Sequence, residues 1–164
     1  ERTKGIALDK TQYVVDANVK FGFACDVPGF ISELYSMFYL QLYLTKKHDR
    51  IIEVVPTPGM IEQREQNLDF TVDIPDNMKI KVQVKTVCLN GSFMMGKFEN
   101  ISWERAGSRA THYALIDIDL RILCVVPTRM VKQYTGKIMS VSKLIDVSSV
   151  ALNFTNYPYE IINT

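Results

Sequence analysis

The chain has 164 residues, 47% of them hydrophobic, which suits a single domain with one good core and ordinary globular composition. Nineteen Lys and Arg nearly cancel eighteen Asp and Glu, so bulk charge names no partner and a nucleic-acid face has to come from local clustering. Cys25, Cys88 and Cys124 lack any CxxC spacing, which argues against a disulfide framework, suits a reducing intracellular compartment and makes all three small core hydrophobes.

The chain opens on Glu1, as a trimmed chain would, and carries neither a signal-peptide h-region nor a run of ~20 apolar residues, so a soluble protein without a membrane partner is expected. Three NxS/T triplets, at Asn90, Asn100 and Asn153, carry no weight without a secretion signal.

In chain order, "KTQYVVDANVKFGFACDVPG" mixes alternation with β-branched residues, which predicts one or two short strands ending at Pro28-Gly29. "FISELYSMFYLQLYLTKKHDR" is the clearest helix. Leu34, Met37, Phe38, Gln41, Leu42 and Thr45 follow helical spacing, Ser32 is placed to cap it, and Lys46, Lys47, His48 and Arg50 suit the negative end of its dipole. "RIIEVVPTPG" predicts a short strand stopped by Pro56 and Pro58, and "MIEQREQN" a polar loop or a single helical turn.

"LDFTVDI" alternates, with Leu68, Phe70, Val72 and Ile74 on one side and Asp69, Thr71 and Asp73 on the other. After the turn residues "PDN", "KIKVQVKTV" alternates again: Ile80, Val82 and Val84 inward, Lys79, Lys81, Gln83 and Lys85 outward. Asn90-Gly91 signals a second turn and "SWERAGSRA" a short helix. "YALIDIDLRILCVVPTRMV" predicts one or two strands, most buried around Ile118–Leu123. "SVSKLIDVSSV" reads as a late helix and "NFTNYPYEII" as a tail strand. This order predicts a mixed α/β domain over residues 1–164, with its core motif at about 30–130 and a C-terminal helix and strand at 138–164.

One constellation could carry chemistry. Asp69 offers a hard carboxylate oxygen to a divalent cation, and the amide carbonyl of Gln83 offers a neutral one. Lys85, two residues on, projects to the same side of its strand as Gln83. A hairpin of suitable register brings Asp69 beside them. A metal there could polarise a phosphate and activate water, with Lys85 holding that water or neutralising developing charge. Asp73 shares the strand face of Asp69, but its place next to "IPDN" suits a turn. The plain alternative is the wet face of an ordinary hairpin. No GxSxG, P-loop or GxGxxG is present, and His48 and His112 stand alone, so nucleophilic, nucleotide-hydrolysing and histidine-metal chemistries are disfavoured.

The order of these pieces resembles the PD-(D/E)XK nuclease family. Its pattern is a helix with an acid, a strand, a strand starting with Asp, then a strand bearing Asp/Glu-x-Lys. The matching pieces are Glu33 in "ISELYSMF", "RIIEVVP", Asp69 in "NLDFTVDI", and Gln83 with Lys85 in "KVQVKT". Members that replace the acid with glutamine read "QVKT" or "QVKTS", and "YALIDIDLRILCVVP" looks like the strand pair that follows. Two departures stand out: Asn67-Leu68, not a Pro-Asp pair, leads into Asp69, and Gln83 leaves the metal one charge fewer.

The resemblance implies a mixed central sheet flanked by helices with a restriction-endonuclease-like core. It also implies Mg²⁺-dependent hydrolysis of DNA phosphodiesters, with Asp69 and Gln83 on the metal, Lys85 at the attacking water and Glu33 as an added or outer ligand. It is similar in style to small homing endonucleases and junction resolvases that use "QVK", which implies a homodimer or larger assembly. The alternatives are a non-catalytic nucleic-acid-binding module with a degraded site and a viral accessory protein on an α/β fold.

Phosphate contacts are expected from Lys97, Arg105 and Arg109, near Trp103, His112 and Tyr113, because Arg forks onto phosphate and aromatics stack on bases. "TRMVKQYTGKIMSVSK" holds Arg129, Lys132, Lys137 and Lys143 with no acid before Asp146, and is read as a duplex-backbone face.

Overall fold

The computed structural model describes residues 27–57, 68–76, 78–96 and 110–163. The mixed α/β expectation holds. Among the described residues, α1 (Val27–His48) is followed by β1 (Val54–Pro56), β2 (Phe70–Ile74), β3 (Met78–Thr86), β4 (Phe93–Met94), β5 (His112–Asp117) and β6 (Ile122–Pro127). Then come α2 (Thr128–Tyr134), β7 (Ile138–Met139), α3 (Val141–Val147), β8 (Val150–Asn153) and β9 (Glu160–Ile161). Seven strands form one sheet in the order β1-β2-β3-β5-β6-β8-β9, and β4 pairs with β7. Within the large sheet only β3 and β5 run parallel. A parallel neighbour cannot be reached by a tight hairpin, so the chain between β3 and β5 has to cross over.

The core has two parts, one on each face of the sheet. Met37, Leu40 and Leu44 of α1 cover Phe70, Val72, Val82, Val84, Ala114 and Ile116. On the other face Val131 of α2 and Leu144 of α3 cover Tyr113, Leu115, Cys124 and Val126. Each large side chain so enclosed contributes roughly 1.5–3 kcal/mol relative to exposure. Because both faces are covered, the middle strands carry continuous apolar runs, as in "YALI" and "LCVV".

Turn chemistry fixes the register. Asp76, at φ 75°, turns the β2–β3 hairpin, and Asp73 pairs with Lys79 across it at 3.8 Å on an exposed face. Asp117 builds the β5–β6 turn. Its Oδ1 accepts the N–H groups of Asp119 and Leu120 at 3.0 Å each, and its Oδ2 accepts that of Leu89 at 2.8 Å. The expected late helix is present as α3, and Ser140 caps it: Ser140 Oγ accepts the Lys143 N–H at 3.1 Å.

Several expectations are corrected. Helix α1 begins at Val27, so Pro28 and Gly29 stand in its first turn, where proline is tolerated, and do not end a strand. Ser32 is not the cap; it lies inside the helix, fully buried, 2.6 Å from Thr86 Oγ1. Ile118–Arg121 is the β5–β6 turn, not the most buried stretch; burial lies to either side of it. Cys124 is buried but Cys88 is exposed, so the shared core reading fails for Cys88. "TRMVKQY" is a helix, and the tail splits into β8 and the short β9. The expected N-terminal strands, the "MIEQREQN" loop, Cys25 and all but the last residue of "SWERAGSRA" lie outside the described residues.

Candidate active site

The ladder between β2 and β3 pairs Phe70 with Val82 and runs regularly to Ile74 with Met78. At its start the pattern breaks. The Asp69 N–H donates to the Val82 carbonyl at 2.9 Å, although Val82 already faces Phe70. Two residues opposite one is a bulge arrangement, and bulges re-aim side chains. The consequence is visible in the core. Leu68 joins the cluster under α2 and α3, whereas Phe70 and Val72 join the one under α1. The expectation that Leu68 shares a side with Phe70 is therefore corrected, because alternation does not survive the bulge.

The re-aimed side chain is Asp69, only 4% exposed. Its Oδ2 accepts the backbone N–H of Val84 at 2.7 Å. The carboxylate takes the place of a strand carbonyl and lies against the residue between Gln83 and Lys85. Its own backbone is fixed on the other flank as well, since the Asp69 carbonyl accepts the Thr57 N–H at 2.9 Å. Asp73, the sequence-level rival, is exposed and engaged with Lys79.

Gln83 and Lys85 follow the alternation of β3. In the parallel ladder Gln83 stands beside Tyr113 and Lys85 beside Leu115. Both partners belong to the cluster under α2 and α3, so Gln83 and Lys85 share that face. Gln83 is buried at 9% exposure, which corrects its placement on a solvated face; Lys85 is half-buried. The reason is the second layer: a hairpin seen alone has one wet face, but here β5 and the layer beneath it enclose β3 on both.

Glu33 is half-buried on α1, which packs on the opposite face. The Ser32–Thr86 hydrogen bond nevertheless brings that turn of α1 to the end of β3, one residue past Lys85. Among the described residues no group of three or more His, Cys, Asp or Glu side chains is placed to hold a metal ion. A site here therefore rests on one carboxylate and one amide. Magnesium commonly binds through one or two carboxylates together with substrate phosphate and water, and that sparse donor set is compatible with it.

Arg129, Lys132, Lys137 and Lys143 are all exposed, on or beside α2 and α3. Two of them share an anchor: the ammonium groups of Lys137 and Lys143 lie 5.5 and 5.4 Å from the centre of the Tyr134 ring. Lys97, Arg105 and Arg109 lie outside the described residues. His112, half-buried, sits 2.8 Å through Nδ1 from Thr111 Oγ1; burial, and then the nearby Arg129 guanidinium, hold its pKa below the usual imidazole value.

Sequence reasoning missed the bulge, the Val84 contact and the structural carboxylate of Asp117. Asp117 had a signal, because "DIDL" after an apolar run is turn chemistry. Among the described residues no helix is long and apolar enough to cross a membrane. No protein-family model matches the chain, no curated protein matches it and no solved structure matches it.

Proposed function

We propose that the chain is an intracellular metal-dependent endonuclease that hydrolyses phosphodiester bonds of DNA on a restriction-endonuclease-like core. The observation that carries this reading is the buried Asp69 carboxylate held against Val84, between the Gln and Lys of "QVK". The element order supports it too: helix, strand, strand beginning beside Asp69, strand with Gln-x-Lys, then a strand pair.

In this reading Asp69 and Gln83 hold Mg²⁺, which when bound supplies Lewis-acid stabilisation of charge on a phosphoryl oxygen. The Val84 N–H fixes the Asp69 carboxylate in one orientation before any ligand arrives, so little reorganisation is needed. Gln83, enclosed beside Tyr113, is likewise held to few rotamers. Lys85, half-buried at the open end of β3, orients the attacking water and neutralises charge on the phosphate. Glu33, on the turn of α1 that Ser32 ties to Thr86, would assist as an outer ligand.

The face that carries Gln83 and Lys85 is the one layered by α2 and α3. The exposed cations Arg129, Lys132, Lys137 and Lys143 on that layer therefore supply phosphate contacts to the same substrate. Cutting two strands with one site per chain calls for a homodimer or larger assembly.

The single carboxylate favours one competing reading: a nucleic-acid-binding or viral accessory protein whose site no longer holds metal. Incubating supercoiled plasmid and a branched DNA with magnesium separates the two. The nuclease reading expects cleavage by wild type and loss with Lys85→Ala. Intact DNA after wild-type incubation, or equal cleavage by the variant, overturns it.

A further inference from the structure

Tyr35, Tyr39 and Tyr43 recur every four residues along α1 and so share one stripe of it. That stripe faces the segment after β8. The Phe154 ring stacks on Tyr39, with centroids 4.6 Å apart at 22°, and on Tyr35, 5.6 Å apart at 29°. Tyr159 meets Tyr43 at 6.3 Å. Tyr39 and Phe154 are enclosed in the core, but the end of the stack opens outward: Tyr35 is 39% exposed and Tyr157, on the same segment as Phe154, is 81% exposed.

Cations accompany the rings. Exposed Arg121 is tied to the cluster through its carbonyl, which accepts the Phe154 N–H at 2.9 Å, and its charge acts on Tyr39. Lys47 Nζ stands 5.9 Å from the centre of the Tyr43 ring. Asp119 and Glu160 are exposed nearby in sequence, so the attraction for an anion is local to the rings and not a field of the whole surface.

We propose that this aromatic column, with Arg121 beside it, is a stacking surface for unpaired nucleotides. Near-parallel rings with an exposed end continue a base stack, and a guanidinium next to them meets the phosphate that each base brings. The position fits. Tyr35 is three residues along α1 from Ser32, about 4.5 Å of helical rise, and Ser32 touches Thr86 at the end of the Gln-x-Lys strand. The inference rests on the nuclease reading and narrows its substrate class to nucleic acid with a single-stranded segment, such as a branch or a frayed end.

The test is fluorescence anisotropy with labelled oligothymidylate and a blunt duplex of equal length, in EDTA so that nothing is cut. Wild type binds oligothymidylate; Tyr157→Ala and Tyr35→Ala each weaken it about tenfold and leave duplex binding unchanged. Tyr157→Trp retains the affinity. Because Tyr157 is so exposed, its truncation leaves the fold intact, as circular dichroism would show. Failure of wild type to bind oligothymidylate, alanine variants that bind like wild type, or equal weakening of both substrates overturns the proposal. Tyr157-dependent binding without magnesium cleavage removes the nuclease reading and leaves the stacking surface standing; cleavage of duplex without oligothymidylate binding does the reverse.

Discussion

Replacing Asp69 separates its structural work from its proposed chemistry. Its Oδ2 accepts the Val84 N–H at 2.7 Å, and both residues are buried, at 4% and 8% exposure. Asp69→Ala removes the acceptor and leaves a buried amide without that partner, at a cost of about 1–3 kcal/mol. A small cavity adds to this, so about 2–3 kcal/mol is expected, or roughly 4–12 °C in Tm for a chain of this size. Asp69→Asn keeps an oxygen that accepts the same bond. It loses the charge assistance but also the cost of burying a charge, so its loss should stay within about 1 kcal/mol.

Activity sorts the variants differently: both lose the anionic ligand, so both should lose magnesium-dependent plasmid cleavage, and manganese binding by calorimetry should vanish in both. Urea unfolding of the three proteins gives the stability order. If Asp69→Ala unfolds at the wild-type midpoint, the contact with Val84 is not made. If Asp69→Asn is stable and still cuts plasmid at the wild-type rate, Asp69 is structural and the metal assignment fails.

The other expectations are simpler. Changing Lys132 and Lys137 together to Ala should weaken duplex binding by a similar factor for every sequence. It should also flatten the salt dependence by up to about 1.8 logarithmic units, with little effect on stability because both are exposed; an unchanged slope contradicts the backbone-face reading. His112 has a pKa lowered first by burial and then by Arg129, so between its folded and unfolded values the unfolded chain binds more protons. Stability should therefore fall as pH drops below about 6.5 and level off once the folded imidazole protonates; His112→Gln should reduce that slope in urea titrations at successive pH values. Burial, partly offset by a hydrogen bond with Ser148, pushes the Cys124 thiol up to about 11, while Cys88 is exposed. Brief native alkylation followed by peptide mass spectrometry should label Cys88 and spare Cys124 until denaturant is added.

Much of the fold was legible because its signals are local. Helical spacing in "SELYSMFYLQLYL" marked α1, and clean alternation either side of "PDN" marked the β2–β3 hairpin. The pattern "SVSKLIDVSSV" marked α3. What escaped is non-local. Gln83 looked solvated because its own strand alternates; only the parallel partner β5, which arrives after a crossover, buries it. Ile118–Arg121 looked buried because it sits between two apolar runs, and it took the backbone bonds to Asp117 to make it a turn. Leu68 looked like a neighbour of Phe70 because alternation assumes a regular ladder.

That last failure bears most directly on function. A strand that kept its register through residue 69 would set Asp69 opposite Gln83, on the side of Gln83 and Lys85, as the sequence pattern alone predicts. The bulge departs from that alternation, and the Asp69 carboxylate accepts the backbone N–H of Val84, the residue between Gln83 and Lys85. Bulges re-aim side chains next to active sites and also end strand pairing, and this one lies where the β2–β3 ladder begins. The physical case for the proposed site at Asp69 is therefore the coincidence of a broken ladder before β2, a buried carboxylate on the amide of Val84 and a lysine one residue further along β3, and not the length of the motif.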